Sequence, residues 1–150
     1  MSTYTQILYQ IVFGTKNHAR TLSGDREVLF RFIAGILWNK KCRVYAINGV
    51  ENHLHILIYL HPSIALADLI KDIKIASSKF IKEQKCFRDF EGWQVGYSAF
   101  TYSQDRKDIL INYIKNQEEH HRRKSFREEY LELLKEHNIE YDERHLPKEE

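Results

Sequence analysis

Apolar positions along this chain change period several times, and each change marks an element. Over residues 5–13, Ile7, Tyr9, Ile11 and Phe13 fall on alternate positions, the pattern of a half-buried strand. Over residues 25–39 the spacing becomes helical: Val28, Leu29, Phe32, Ile33, Ile36 and Leu37 line one side of an amphipathic helix. Residues 42–47 read as a second strand, with Asn48-Gly49 as a turn leading into a third, ENHLHILIYL, over residues 51–60. Pro62 and Ser63 then stop that strand and cap a second helix, with Leu66, Leu69, Ile70, Ile73, Ser77, Phe80 and Ile81 as its stripe. The aromatic segment GWQVGYSAFTYS predicts a fourth strand with irregular edges, and a third helix spans about 105–120. Ser125-Phe126-Arg127-Glu128 has the capping-box form and opens a short helix with Tyr130, Leu131 and Leu134 on its apolar side.

The β-α-β-β-α-β order predicts an α+β fold of the ferredoxin-like or RRM-like split-βαβ kind. This is an antiparallel sheet with helices on one face, here followed by C-terminal helices. Such a fold hosts many functions and selects none. Residues 1–150 suit a single domain, with an acidic helix and tail over about 125–150. No apolar run is long enough for a membrane span, and the N-terminus lacks the basic and apolar regions of a signal peptide. Cys42 and Cys86 stand without CxxC spacing, as reduced residues of a cytoplasmic protein do. The net charge of +2 hides an asymmetry: residues 1–127 carry +8 and residues 128–150 carry −6. A basic body suits a polyanionic partner.

Within the third strand, His53 and His55 are two residues apart and therefore share a face, roughly 6.5–7 Å from each other along the chain. Two imidazoles so placed can converge on one divalent metal, or can simply face solvent from an open sheet. The third helix bears on that choice. Ile109, Leu110, Tyr113, Ile114 and Gln117 fall on one stripe, and Gln117 is a polar amide in line with apolar side chains, one turn after Tyr113. A buried amide needs partners, and a metal would accept its carbonyl oxygen. The alternative is a core tyrosine and a glutamine that marks a helix end.

A strand reading apolar–His–apolar–His–apolar, followed in a later helix by Tyr-x-x-x-Gln, resembles the single-tyrosine HUH transposases. These are the TnpA-type enzymes of insertion sequences that move as single-stranded DNA. The resemblance covers most of the chain, from YQIVFGTKNHAR through GVENHLHILI to INYIKNQEEHH. Family members read Pro-Asp or Pro-Asn before the first histidine, where this chain has Glu51-Asn52. The resemblance implies that His53, His55 and Gln117 bind Mg²⁺ or Mn²⁺ and that Tyr113 is the nucleophile. Cleavage would leave a 5′-phosphotyrosine and a free 3′-OH. The ligand set by itself would also admit Zn²⁺.

Three basic groups are candidates for the DNA backbone: Lys16, His18 and Arg20; Lys71, Lys74, Lys82 and Lys85; and Arg122, Arg123, Lys124 and Arg127 beside His120 and His121. Each is also readable as solvated surface, the lysine stripe as readily as a DNA contact, while the His-His-Arg-Arg-Lys run ranks higher because it lies closest to Tyr113 and Gln117. Trp93, Tyr97, Phe100 and Tyr102 could stack on unpaired bases or pack in the core. The resemblance further implies a substrate with hairpin ends, a homodimer with tyrosine helices exchanged between subunits, and nucleoid association of a cytoplasmic protein when DNA is bound. Residues 115–124 are polar enough for a mobile arm. Three other functions fit the same residues: an idle nucleic-acid binder, a host-domesticated nuclease, and a hydrolase using water as nucleophile.

Overall fold

The computed structural model describes residues 2–148. Its elements are β1 (Leu8–Gly14), α1 (Arg26–Asn39), β2 (Arg43–Val50), β3 (His53–Tyr59), α2 (Leu66–Gln84), β4 (Ser98–Tyr102), α3 (Lys107–Lys115), α4 (Gln117–His121) and α5 (Phe126–Glu136). The strands form one antiparallel sheet in the order β2-β3-β1-β4. Each helical crossover skips one strand position, filled by β3 in the first case and by β1 in the second. This is the split-βαβ topology that the order of elements predicted.

Strand alternation sorts the side chains of β3 between two cores. Leu54, Ile56 and Ile58 face α1 and α2, packing with Phe13, Leu29, Ile33 and Ile73 in the larger one. His53, His55 and Leu57 point the other way. That second face is not open. Leu57 meets Leu110 and Ile114 of α3, and Val12 meets Phe126, Leu133 and Leu134 of α5. The C-terminal helices thus form a third layer, with the sheet in the middle. β1 is consequently buried on both faces rather than half-buried, with Leu8, Gln10 and Val12 as enclosed as Ile11 and Phe13.

Several boundaries move for identifiable reasons. β2 continues through Asn48-Gly49, which pair with His55 and Leu54, and the chain reverses at Glu51-Asn52 instead. Gly49 supplies a close approach, not a turn conformation: a Cβ there would lie 2.3 Å from the His53 carbonyl oxygen. Ser63 does not cap α2. Its hydroxyl donates to His61 Nδ1 at 2.7 Å, and the residue preceding the helix is Ala65, with no side-chain bond. The third helix breaks at Asn116 (φ −98°, ψ 24°) into α3 and α4. Ser125 does cap α5, accepting from the Glu128 amide at 3.2 Å. Both cysteines are free thiols, and among the described residues no helix is long and apolar enough to cross a membrane.

Candidate functional site

β3 delivers His53 and His55 into the seam between the sheet and the C-terminal helices, where neither ring is exposed. Each ring is held from behind. His53 Nδ1 lies 2.8 Å from Asn52 Oδ1, and His55 Nδ1 lies 2.7 Å from Gln10 Oε1. An amide oxygen can only accept, so each Nδ1 carries a proton and each ring turns its Nε2 toward the interior of the seam. Gln10 is fixed in turn by its amide nitrogen, which donates to the Tyr102 hydroxyl at 2.8 Å. Burial, aided by the charge of Glu136, pushes that phenol up to about 12. His53 also stacks on Phe126 at 3.7 Å, nearly parallel. Burial lowers its imidazole to about 3, with the Glu129 carboxylate offsetting this only in part, so His53 is neutral at physiological pH.

Both Nε2 atoms face Glu129, a residue of α5 that is 1% exposed. The carboxylate divides its neighbours between its two oxygens. Oε1 lies 2.9 Å from His55 Nε2, 3.1 Å from His121 Nε2 and 3.2 Å from His53 Nε2. Oε2 accepts a short hydrogen bond from the Tyr113 hydroxyl and one of 3.2 Å from Gln117 Nε2, with His120 Nε2 at 3.4 Å. Burial alone would raise the Glu129 carboxyl. The surrounding imidazoles of His55, His121 and His53 outweigh it and hold the group well below the usual carboxylate range.

Two imidazole nitrogens and an anionic oxygen converging in a buried seam call for a cation or shared proton among them. Of the four buried side-chain atoms without a hydrogen-bond partner among the described residues, three belong to this cluster: His53 Nε2, Gln117 Oε1 and His120 Nε2. Ligand atoms of His53, His55 and Glu129 all lie within 4.8 Å of one another. Two imidazoles, a carboxylate and an amide oxygen suit a divalent metal, and the residues present therefore fit one.

Tyr113 stands one turn before Gln117, with its ring 5.8 Å from that of His55 and 5.0 Å from that of His120. Burial, and after it the charge and hydrogen bond of Glu129, raise the phenol far above its ordinary value and keep it protonated. His53, His55, Tyr113 and Gln117, picked out from sequence spacing, are thus brought together. Glu129, Gln10 and Asn52 were not among those candidates. The signal for Glu129 was legible as a carboxylate in line with Phe126, Leu133 and Leu134, all four being buried on α5. Gln10 likewise interrupts the apolar parity of Leu8 and Val12.

The basic candidates disperse. Lys71, Lys82 and Lys85 are exposed on or beside α2, in the layer across the sheet from the histidines. Lys74 is committed to the loop before β4, bonding the carbonyls of Gln94 at 2.8 Å and Gly96 at 2.5 Å. Lys16 is exposed after β1, and Lys124 is paired with Glu132. Arg20 and Arg122 line a cleft beside α4, and Arg123 lines another on its far side. Of the aromatic candidates, Phe100 is buried, Trp93 packs on Phe13, and Tyr102 holds Gln10, leaving Tyr97 exposed. Residues 115–124, read as a possible arm, contain α4 with Gln117 turned inward.

Comparisons with known proteins agree on one family. Residues 3–117 match the family profile described as "Transposase IS200 like". A candidate transposase from Deinococcus radiodurans R1, solved at 1.90 Å, is similar at 20% identity and a TM-score of 0.61, over 78% of this chain and 95% of that one. A REP-associated tyrosine transposase solved bound to a REP hairpin is similar at 14% identity and a TM-score of 0.53, over 77% of this chain and 72% of that one. At these identities the two structures establish likeness of fold. No curated protein sequence matches the chain.

Proposed function

The chain belongs to the IS200-like transposase family, and from that premise we propose that it cleaves and rejoins single-stranded DNA with Tyr113 as nucleophile. The observation that carries this is the convergence of Tyr113, His53, His55 and Gln117 on the single buried carboxylate of Glu129. His53, His55 and Glu129 would hold a divalent metal, with Gln117, whose Oε1 is buried without a partner, as a further residue available to it. Bound there, Mg²⁺ or Mn²⁺ supplies Lewis-acid polarisation of the scissile phosphate and offsets charge that develops on it. The preference for these two ions rests on the family resemblance.

The chain's own residues do the remainder. Asn52 and Gln10 fix both imidazoles as Nε2 donors. Glu129 Oε2 anchors the phenol oxygen and is the acceptor already hydrogen-bonded to its proton. The Tyr113 oxygen forms a bond to phosphorus as the bond to the 3′ oxygen breaks. The phenol proton leaves by way of Glu129 to water, and the departing 3′ oxygen takes up a proton from water. The phosphotyrosine retains the bond energy, so rejoining to another 3′-OH needs no nucleotide cofactor. Tyr113 meets His55 of its own chain, so the constellation needs no exchange of helices between subunits. The REP-hairpin complex of the similar transposase favours a strand with hairpin ends as substrate.

The test uses single-stranded oligonucleotides copied from the DNA flanking the gene, incubated with Mg²⁺ or Mn²⁺. A protein–DNA adduct that survives denaturation is expected, absent from Tyr113→Phe and from the His53→Ala, His55→Ala double variant. An adduct that persists in Tyr113→Phe would sink the assignment of the nucleophile. Strand cleavage without any adduct would make water the nucleophile.

A further inference from the structure

We propose that the arginine-lined cleft beside α4 is a subsite for a backbone phosphate of the bound strand, next along from the phosphate attacked by Tyr113. This rests on the reading that single-stranded DNA is the substrate. The cleft holds about 340 Å³ and is lined by Arg20, Arg26, Asn52, Glu118, His121 and Arg122, among others. Asn52 and His121 belong equally to the histidine cluster, the first bonded to His53 and the second to Glu129. One wall of the cleft is therefore the outer wall of the cluster, and a group lying in it is a neighbour of whatever lies in the cluster.

Three guanidinium groups reach this space from three separate segments: the stretch after β1, the start of α1 and the end of α4. Arg26 was not a candidate from sequence, and it is the best positioned. Its side chain is 16% exposed, with Nη1 donating to the Leu22 carbonyl at 2.9 Å and Nη2 to Glu118 at 2.8 Å. Such anchoring leaves donors of a five-donor group unspent and orders it in advance. Among the described residues, these arginines pair with carboxylates open to solvent: Arg26 with Glu118, Arg20 with Glu51 at 3.3 Å, and Arg122 with Glu119 at 2.9 Å. The Arg20 and Arg122 pairs are exposed on both sides and contribute little, so a phosphodiester can displace those carboxylates and gain charge-assisted, bidentate bonds beside the pre-ordered Arg26.

The test is fluorescence anisotropy of a labelled oligodeoxythymidine strand over a series of NaCl concentrations, with the full chain. The slope of log Kobs against log salt reports phosphate contacts and falls by about 0.7 for each one lost on a single strand. Arg26→Gln should flatten the slope by about 0.7, and the triple variant Arg20→Gln, Arg26→Gln, Arg122→Gln by about 2. Arg26→Lys, which keeps the charge, should restore most of the slope, and thermal melts confirm that each variant is folded. Unchanged slopes in folded variants overturn the subsite. Adduct formation, assayed in parallel, separates the two readings. Flattened slopes without an adduct on any strand keep the subsite and sink strand cleavage. A wild-type adduct with unchanged slopes does the reverse, and absence of any binding overturns the subsite outright.

Discussion

Glu129→Gln keeps the size of the side chain and removes its charge from the centre of the cluster. The proposed site then loses its only anionic protein ligand, leaving two imidazoles and amide groups. Losing even an outer-sphere partner typically weakens metal binding about 10- to 100-fold, and a direct ligand costs at least as much. Linkage converts this into a thermal shift. At free Mn²⁺ about 100 times the wild-type Kd, binding to the native state adds about 2.7 kcal/mol. A domain of this length gains about 2–4 °C per kcal/mol, so Mn²⁺ should raise the wild-type Tm by about 5–11 °C. At the same Mn²⁺ concentration the variant sits at about 1–10 times its own Kd, and binding adds only about 0.4–1.4 kcal/mol. Its shift should be no more than about half that of the wild type. The assay is scanning calorimetry of chelator-treated protein with and without MnCl₂, each protein being compared with its own metal-free Tm. Equal shifts in variant and wild type would refute Glu129 as a ligand. They would leave it as an internal acceptor for Tyr113 and the histidines.

Two further substitutions probe the scaffold. Ser125→Ala removes the N-cap of α5 and should cost about 1 kcal/mol in a urea melt; an unchanged midpoint would show that packing of Phe126 alone sets that helix start. Lys74→Met removes the ammonium bound to the Gln94 and Gly96 carbonyls and should cost about 1–3 kcal/mol, with faster amide exchange over residues 92–97. Loss of DNA binding at unchanged stability would instead return Lys74 to the backbone-contacting groups.

Periodicity carried most of the architecture because the large core depends on it. The stripes of α1 and α2 and one parity of β3 meet in a single cluster. What periodicity could not carry was the second face. Leu8, Gln10 and Val12 on β1 read as the outer side of a half-buried strand, and only the docked C-terminal layer makes them interior. Asn48-Gly49 failed as a turn because the glycine answers a contact between strands that no local rule describes. The candidate site divides in the same way. His53 and His55 follow from spacing within one strand, and Tyr113 and Gln117 from one apolar stripe that the structure divides between α3 and α4, their roles being implied by the family resemblance. Glu129 and Gln10 join them only through tertiary contacts, 74 and 45 residues along the chain from His55. Arg26 was hidden because a lone arginine at a helix start carries no pattern of its own.

The position of Glu129 on α5 also has a temporal meaning. During synthesis, at about 5–20 residues per second, β1, β3 and α3 emerge before the carboxylate does. A nascent or prematurely terminated chain that stops short of Glu129 has both imidazoles and the tyrosine but no carboxylate at their centre, and Val12 lacks the cover of Leu133 and Leu134. Covering Val12 on the sheet's second face and bringing Glu129 to the histidines both depend on the docking of α5. If the metal binds as proposed, its binding free energy becomes folding free energy for that helix. If cleavage and metal binding both hold as proposed, a chain that ends before Glu129 lacks one member of the ligand set.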